Sequence, residues 1–368
     1  MSTLSDHRRE LAYCAHCPKM CRFACPVSGA TAKETHTPWG KMSAAFQHLT
    51  GARPFDEHGG AALYACTGCM RCRTHCRHEN EVGLSLFEAR AEAVDEGEAP
   101  RAIDALRESF ASGNPFGLDL LARAKEICRE EDGRAYFPGC TALAREPGMV
   151  HAALNAAGGF GLRLSLPRAL VGRCCGYPLW AAGFKAEFVE RAEAFARAAD
   201  GLSELVVGDP GCAFALLTAY PLVRVELRPK IVLLVDLLAD RLEYAFGRAP
   251  LRLNVSYHDA CLLGRGLGRY EGPRRLLRAA VGEFLEAVEN RADAGCSGGG
   301  GLLPRTMPDA ALAVARAQAA EQGAPASRIV TACPSACRNF RKAGVDATDL
   351  FTVLERWIAA REQDEEPG

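Results

Sequence analysis

Gly172-Arg173-Cys174-Cys175-Gly176-Tyr177-Pro178 (GRCCGYP) sets two thiols on neighbouring residues beside a glycine. A disulfide between them is strained, because adjacent Cα atoms sit about 3.8 Å apart whereas relaxed bridges span roughly 4.4 to 6.8 Å. Their use has to be read from the rest of the 17 cysteines in this 368-residue chain. The opening residues, MSTLSDHRRELAYC, have no apolar core of the kind a signal peptide needs. The apolar runs 212–217 and 231–235 are far too short to span a bilayer. A cytoplasmic location is therefore expected, with at most peripheral attachment to a membrane complex. Thiols stay reduced there, so metal ligation outranks disulfides. Lys and Arg total 44 against 45 for Asp and Glu, and no overall charge recruits nucleic acid or an acidic membrane surface.

Working outward, the thiol spacing repeats. Cys140, Cys175 and Cys212 recur 121 residues later as Cys261, Cys296 and Cys333. The flanks agree: YFPGC matches SYHDAC, and VVGDPGC matches IVTAC. Strands are expected at 135–138, 204–207, 251–257 and 328–331, with helical runs at 184–199, 230–244 and 309–321. That alternation argues α/β layers with largely parallel strands. The expected organisation is two copies of one α/β unit related by pseudo-symmetry, 133–248 and 249–350, followed by a C-terminal helix and frayed acidic tail over 351–368. Residues 1–130 differ in texture, with a Cys-, His- and Arg-rich start and helices expected at 84–96, 100–112 and 118–129.

Two cysteine runs dominate this first region. They are Cys14-Ala-His-Cys17-Pro-Lys-Met-Cys21-Arg-Phe-Ala-Cys25 and Cys66-Thr-Gly-Cys69-Met-Arg-Cys72-Arg-Thr-His-Cys76. The second keeps the bacterial ferredoxin spacing, in which three thiolates hold one [4Fe-4S] cluster and the fourth reaches across to another. The first has one extra residue between its second and third cysteines, and Arg77 stands where that pattern has proline. By this logic Cys14, Cys17, Cys21 and Cys76 bind one cluster, and Cys66, Cys69, Cys72 and Cys25 bind the other. Structural zinc is the competing reading, but zinc ribbons pair two knuckles and need no fourth cysteine a few residues on.

The GRCCGYP region now has a context. A strand-end cysteine, Cys-Cys-Gly some 35 residues on, and a further cysteine near proline resemble the CCG domain. The chain is similar to the cysteine-rich subunits of heterodisulfide reductase and the iron-sulfur subunits of glycolate oxidase and anaerobic glycerol-3-phosphate dehydrogenase. The resemblance implies an α/β fold with an N-terminal, mainly helical ferredoxin-like domain and a duplicated CCG unit. It also implies one or two further [4Fe-4S] clusters, cubane or noncubane, with Cys174 and Cys175 as a ligand pair supported by Cys140 and Cys212. The second unit would use Cys261, Cys296, Cys333 and Cys337. Departures are visible: Asp209 replaces the first cysteine of the closing CxxC, Gly295-Cys296-Ser297 replaces Cys-Cys-Gly, and Cys333 to Cys337 is one residue too long.

The resemblance further implies an electron-transfer subunit of an anaerobic-type oxidoreductase complex. Its partners would be a flavoprotein dehydrogenase, an electron-transfer-flavoprotein-like protein or a ferredoxin, together with other subunits of the complex. Two alternatives are a disulfide- or persulfide-reducing site, with Cys174 and Cys175 catalytic, and a redox-inert zinc scaffold. The flavin would belong to another chain, because GRGLGR at 264–269 lacks the strand and later acidic residue of a dinucleotide turn. Glycines 298–301 read as permitting close backbone approach to the neighbouring cysteine rather than as a phosphate loop. His258 and Asp259 read as strand-end packing or a helix cap, with a proton-donating role as the alternative. His16, His75 and His78 read as surface groups beside ligand positions, and Cys128 as a core residue. Arg71, Arg73 and Arg77 either dock an acidic partner or are solvated.

Overall fold

Helix signals organise the amino-terminal third. Thr37 Oγ1 accepts from Gly40 N at 3.0 Å and Pro38 occupies the first helical position, so the helix Pro38–Leu49 starts where a cap and a preset φ coincide. Its apolar stripe packs on Arg8–Ala15 and Val82–Asp95, burying Leu11, Met42, Ala45, Leu86 and Ala89. These contacts come from a computed structural model, which describes residues 3–127, 132–245, 247–322 and 327–360. Cys128 and the tail from 361 onward lie outside the described residues. The expected helix 100–112 resolves into short turns, Arg101–Ile103, Asp104–Ser109 and Phe110–Ser112, ended by Gly113 at φ +79°. The run 118–129 is helical over Leu120–Ile127.

The remainder contains two four-stranded parallel sheets. The first comprises β1 (Arg134–Phe137), β2 (Leu164–Ser165), β3 (Glu204–Val207) and β4 (Lys230–Leu233), in the order β2-β1-β3-β4. The second comprises β5 (Val255–His258), β6 (Leu285–Glu286), β7 (Arg328–Thr331) and β8 (Ala347–Asp349), in the order β6-β5-β7-β8. The helical run expected over 230–244 is corrected at its start. KIVL pairs as β4 with ELVV of β3, from Glu204 with Lys230 to Val207 with Leu233, and the helix is confined to Leu234–Ala239. A short apolar run cannot distinguish a buried strand from a buried helix by periodicity, and the β-branched pair favours the strand. The strand expected at 251–257 begins only at Val255.

In both sheets the central strands are those whose connections leave in opposite directions, which opens a crevice at their carboxyl ends. The cysteines lie there: Cys140 follows β1, Cys212 follows β3, Cys261 follows β5 and Cys333 follows β7.

The helix Leu350–Ala360 leaves β8 and packs on Pro147–Gly159, which follows β1. Phe160 and Trp357 approach to 6.3 Å between ring centroids, and Trp357 Nε1 donates to Ala249 O at 3.1 Å. Gly159 is needed at this crossing, since a Cβ there would sit 2.4 Å from Ile358 Cγ2. Leu350, Leu354 and Trp357 are buried, and each such side chain contributes about 1.5–3 kcal/mol. Among the described residues, no helix is long and apolar enough to cross a membrane.

Candidate metal centres

Cys14 sits in the last turn of Arg8–Ala15 and faces inward, while Cys17, Cys21 and Cys76 occupy partly exposed loops around it. Burial, reinforced by Cys21, Cys76 and Cys17, pushes the Cys14 thiol up to about 12. Asn80 Nδ2 donates to Cys14 Sγ at 3.3 Å. Cys25 lies instead with Cys66, Cys69 and Cys72 around a small internal void bordered by Lys41. The loop turns inward through left-handed Gly68 (φ +67°) and Met70 (φ +60°), and Gly68 N donates to Cys66 Sγ at 3.4 Å. Lys41 is buried with Nζ 3.6 Å from Cys25 Sγ and 3.0 Å from Ala65 O. Burial opposes its charge, yet Cys25, Cys66, Cys72 and Cys69 together outweigh that and raise its pKa.

In the first repeat four thiols meet. Cys140 Sγ lies 3.6 Å from Cys174 Sγ, and Cys175 Sγ lies 3.4 Å from Cys212 Sγ. Gly176, at φ +85°, turns its N–H onto Cys174 Sγ at 3.4 Å, and Tyr220 Oη donates to Cys175 O at 2.9 Å. Hydrogen bonds passed along this chain of thiols, with burial, hold Cys174, Cys175 and Cys212 well above the ordinary thiol range. Asp209 accepts from Gly211 N at 2.7 Å and caps Pro210–Phe214. Burial raises its carboxyl to about 6.

The second repeat distributes its thiols. Cys296 hydrogen-bonds Cys261 and Cys69, and lies 3.5 Å from Thr67 Oγ1. Cys333 caps Pro334–Lys342, and Cys337 packs among Ala315, Ile329 and Phe340. Cys261 and Cys333 border one cavity, and among the described residues no thiol–thiol contact joins Cys333 or Cys337 to Cys261 or Cys296. Gly295 replaces the first cysteine of the pair, and a Cβ there would lie 1.4 Å from Gln318 Oε1, so a side chain at 295 requires the Gln318 amide to move. The glycines after it serve close approach. Gly298 N donates to Cys296 Sγ at 3.3 Å, and a Cβ on Gly301 would sit 2.5 Å from Cys66 O.

Asp259 is neither a helix cap nor free. Both its oxygens take Arg274 at 2.7 Å, and Arg274 is fully buried and also pairs with Glu286. His258 is buried, its Nδ1 3.3 Å from Thr331 Oγ1. The ring lies against the Gly295 backbone, and Nε2 has no partner within hydrogen-bond geometry. Burial lowers its pKa to about 4. His16, His75 and His78 contact the Phe46, Phe23 and Tyr13 rings. Arg71 pairs with Glu289 and Arg73 with Glu81, whereas Arg77 has no ion pair among the described residues. Residues 264–269 follow Cys261 through the π-helical turn Leu262–Gly266, which is no dinucleotide turn.

Between the repeats lies a cavity of about 530 Å³, bordered by Cys140, Cys175 and Cys212 on one side and His258, Cys261 and Cys333 on the other. Sequence reasoning missed Lys41, Asn80 and Arg90 as groups serving the thiol sites. A lysine on the Pro38, Met42, Ala45 stripe of an amphipathic helix was the available signal.

All-cysteine donor sets with N–H and ammonium groups turned onto sulfur suit iron-sulfur clusters. Among the described residues, no three His, Cys, Asp or Glu side chains form a single-ion site. These features define an iron-sulfur protein that joins a helical dicluster module to a duplicated cysteine-rich α/β module. Residues 10–80 match the 4Fe-4S dicluster domain model, and residues 134–217 and 255–340 match the cysteine-rich domain model. The chain belongs to the cysteine-rich, CCG-domain iron-sulfur oxidoreductase family.

Among its relatives is a component of the CoM/CoB fumarate reductase of Methanothermobacter marburgensis, 27% identical over 94% of this chain and 72% of the relative. Another is a component of the dihydromethanophenazine:CoB--CoM heterodisulfide reductase of Methanosarcina mazei, 27% identical over 80% of this chain and 75% of the relative. A third, EtfAB:quinone oxidoreductase of Syntrophomonas wolfei, is 27% identical over 67% of this chain and 37% of the relative.

Proposed function

We propose that the chain is a cytoplasmic electron-transfer subunit of an anaerobic-type oxidoreductase complex. One [4Fe-4S] cluster is held by Cys14, Cys17, Cys21 and Cys76, and another by Cys66, Cys69, Cys72 and Cys25. A third, cubane or noncubane, is held by Cys140, Cys174, Cys175 and Cys212. Electrons pass between a flavoprotein, electron-transfer-flavoprotein-like or ferredoxin partner and an acceptor at the cysteine-rich half. This reading agrees with relatives named as components of reductases.

The observation that carries it is the joint between the modules. Buried Arg90 donates to Cys66 O at 2.7 Å on one side, and to Ala181 O at 2.5 Å and Gly301 O at 3.2 Å on the other. Thr67 and Cys69 meet Cys296 across the same seam. Tunnelling falls steeply with distance, so a relay needs its sulfur sites locked side by side, and a buried cation tying two modules through carbonyl oxygens does that. Lys41 and the N–H donors aimed at sulfur stabilise the more negative, reduced state.

The test is an anaerobic preparation examined by iron and sulfide analysis and paramagnetic resonance. A brown protein with about 12 irons per chain supports the reading. Colourless protein containing zinc overturns it in favour of a scaffold.

The cavity favours a second reading, in which the cysteine-rich half reduces a disulfide or persulfide. Bound clusters supply single electrons, and cleaving a disulfide takes two electrons and two protons to give two thiols. Turnover of a disulfide or persulfide by the reduced complex, abolished by Cys175→Ser, distinguishes this reading from a pure relay.

A further inference from the structure

We infer that a surface groove beside the first cysteine run is the docking site for a redox protein whose contact face is acidic around an apolar centre. The inference rests on reading the chain as a relay, and it names the face at which electrons are exchanged and the chemistry of the partner that fits it.

The groove has a volume of about 640 Å³ and opens between the loop 19–23 and the segment 28–37. Cys25 forms part of its wall, and Cys21, carried by that loop, is partly exposed. Thiols assigned to both clusters of the dicluster module therefore lie at or beside the groove, and a partner seated there has a short tunnelling path to each. Met20 is 70% and Phe23 65% exposed, although side chains of these types are normally buried. With Tyr13 they place three of the eight exposed large apolar side chains among the described residues within positions 13–23. Apolar side chains exposed together mark contact surfaces, and Met, aromatic residues and Arg are the types that interfaces favour.

The charge around the groove is positive. Lys19, Arg22 and Lys33 border it against one carboxylate, Glu34. Glu34 accepts from Lys19 at 3.1 Å and pairs with Arg22 at 2.8 Å, which holds both cations at the rim, and Lys19 also lies over the Trp39 ring at 3.8 Å. Lys33 forms no ion pair among the described residues. One carboxylate shared by two cations leaves a local surplus of positive charge in a chain whose formal net charge is -1. The far side of the loop does not share that surplus. Phe23 meets the His75 ring at 4.8 Å, His75 stands 3.6 Å from Asp293, and Arg71 and Arg73 pair with Glu289 and Glu81. Attraction is therefore aimed at the groove, where concave surface of one sign draws in the other and sets the register of docking. One electron crosses per encounter: the donor is oxidised, the acceptor is reduced, and no bond forms or breaks.

The test mixes oxidised, anaerobically purified full-length protein with a reduced small acidic two-[4Fe-4S] ferredoxin in stopped flow, and separately with the methyl viologen radical, which needs no docking face. Raising salt from about 0.05 to 0.5 M should slow reduction by ferredoxin at least about ten-fold without slowing reduction by viologen. Lys33→Glu should slow the ferredoxin reaction about ten-fold at low salt and flatten its salt dependence. Phe23→Ser should slow it at every salt concentration while leaving the salt dependence in place. Arg252→Glu, the same charge change at an exposed arginine before β5, should alter neither rate. A ferredoxin rate indifferent to salt, or unchanged in Lys33→Glu with iron content intact, overturns the docking site. Protein that viologen cannot reduce overturns the relay, whereas sedimentation of oxidised ferredoxin with the chain still decides the surface. There, binding at least about ten-fold weaker in Lys33→Glu supports the site and equal binding overturns it.

Discussion

The two repeats share strand order and cysteine spacing, yet the first draws four thiols into contact and the second does not. Topology delivers a cysteine to the end of each central strand in both. What differs is the surroundings. At 295 the second repeat has glycine with Gln318 filling the space, while the first places Cys174 there, beside Cys140. The second repeat also carries a buried ion group, Asp259, Arg274 and Glu286, where the same 121-residue offset gives Pro138, Ala153 and Ser165 in the first. A duplicated scaffold thus fixes where sulfur can appear, and local side chains fix whether it converges.

Replacing one cysteine in each repeat breaks the comparison most sharply. Cys175→Ser should remove about four irons per chain, and Cys337→Ser none, by iron analysis of anaerobic protein. Equal losses would mean the repeats are equivalent after all. Next in size, Asp259→Ala removes one of the two carboxylates that pair buried Arg274, leaving Glu286, and should cost about 1–3 kcal/mol of stability in chemical denaturation followed by circular dichroism.

The strands that end each sheet allow a subtler contrast. β4 ends at Leu233, whereas β8 ends at Asp349, whose carboxyl is raised from 3.8 to about 7 by burial. Between those values the folded chain holds a proton that the unfolded chain has released. Stability should therefore fall as pH rises from about 4 to 7, and Asp349→Asn should flatten that slope in urea titrations across the range. Smallest are the exposed pairs Arg134–Glu204 and Arg328–Asp346, one per sheet. Alanine at either arginine should shift stability by less than about 1 kcal/mol.

The parts legible in the sequence were those set by short-range chemistry. Cysteine spacing marked both runs of the dicluster module, β-branched runs marked β3 and β7, and the 121-residue offset marked the two cysteine-rich copies. Edge strands β2 and β6 are two residues long and carry too little pattern to be seen. The run 230–244 read as one helix because a four-residue strand is too short to show its alternation before the helix Leu234–Ala239 takes over. At the site, spacing located the thiols but not what surrounds them. Lys41 and Arg90 look like surface residues until packing shows them buried against carbonyl oxygens and sulfur. Gln318, which fills the space beside Gly295, belongs to no motif.

The crossing helix Leu350–Ala360 has a bearing on biosynthesis. The hydrophobic face laid down just after β1 stays uncovered while the ribosome makes some two hundred further residues, because its cover is encoded near position 357. A chain cut short before residue 350 should therefore leave the apolar face of Pro147–Gly159 bare, and the first repeat depends for its cover on the last part of the chain to be made.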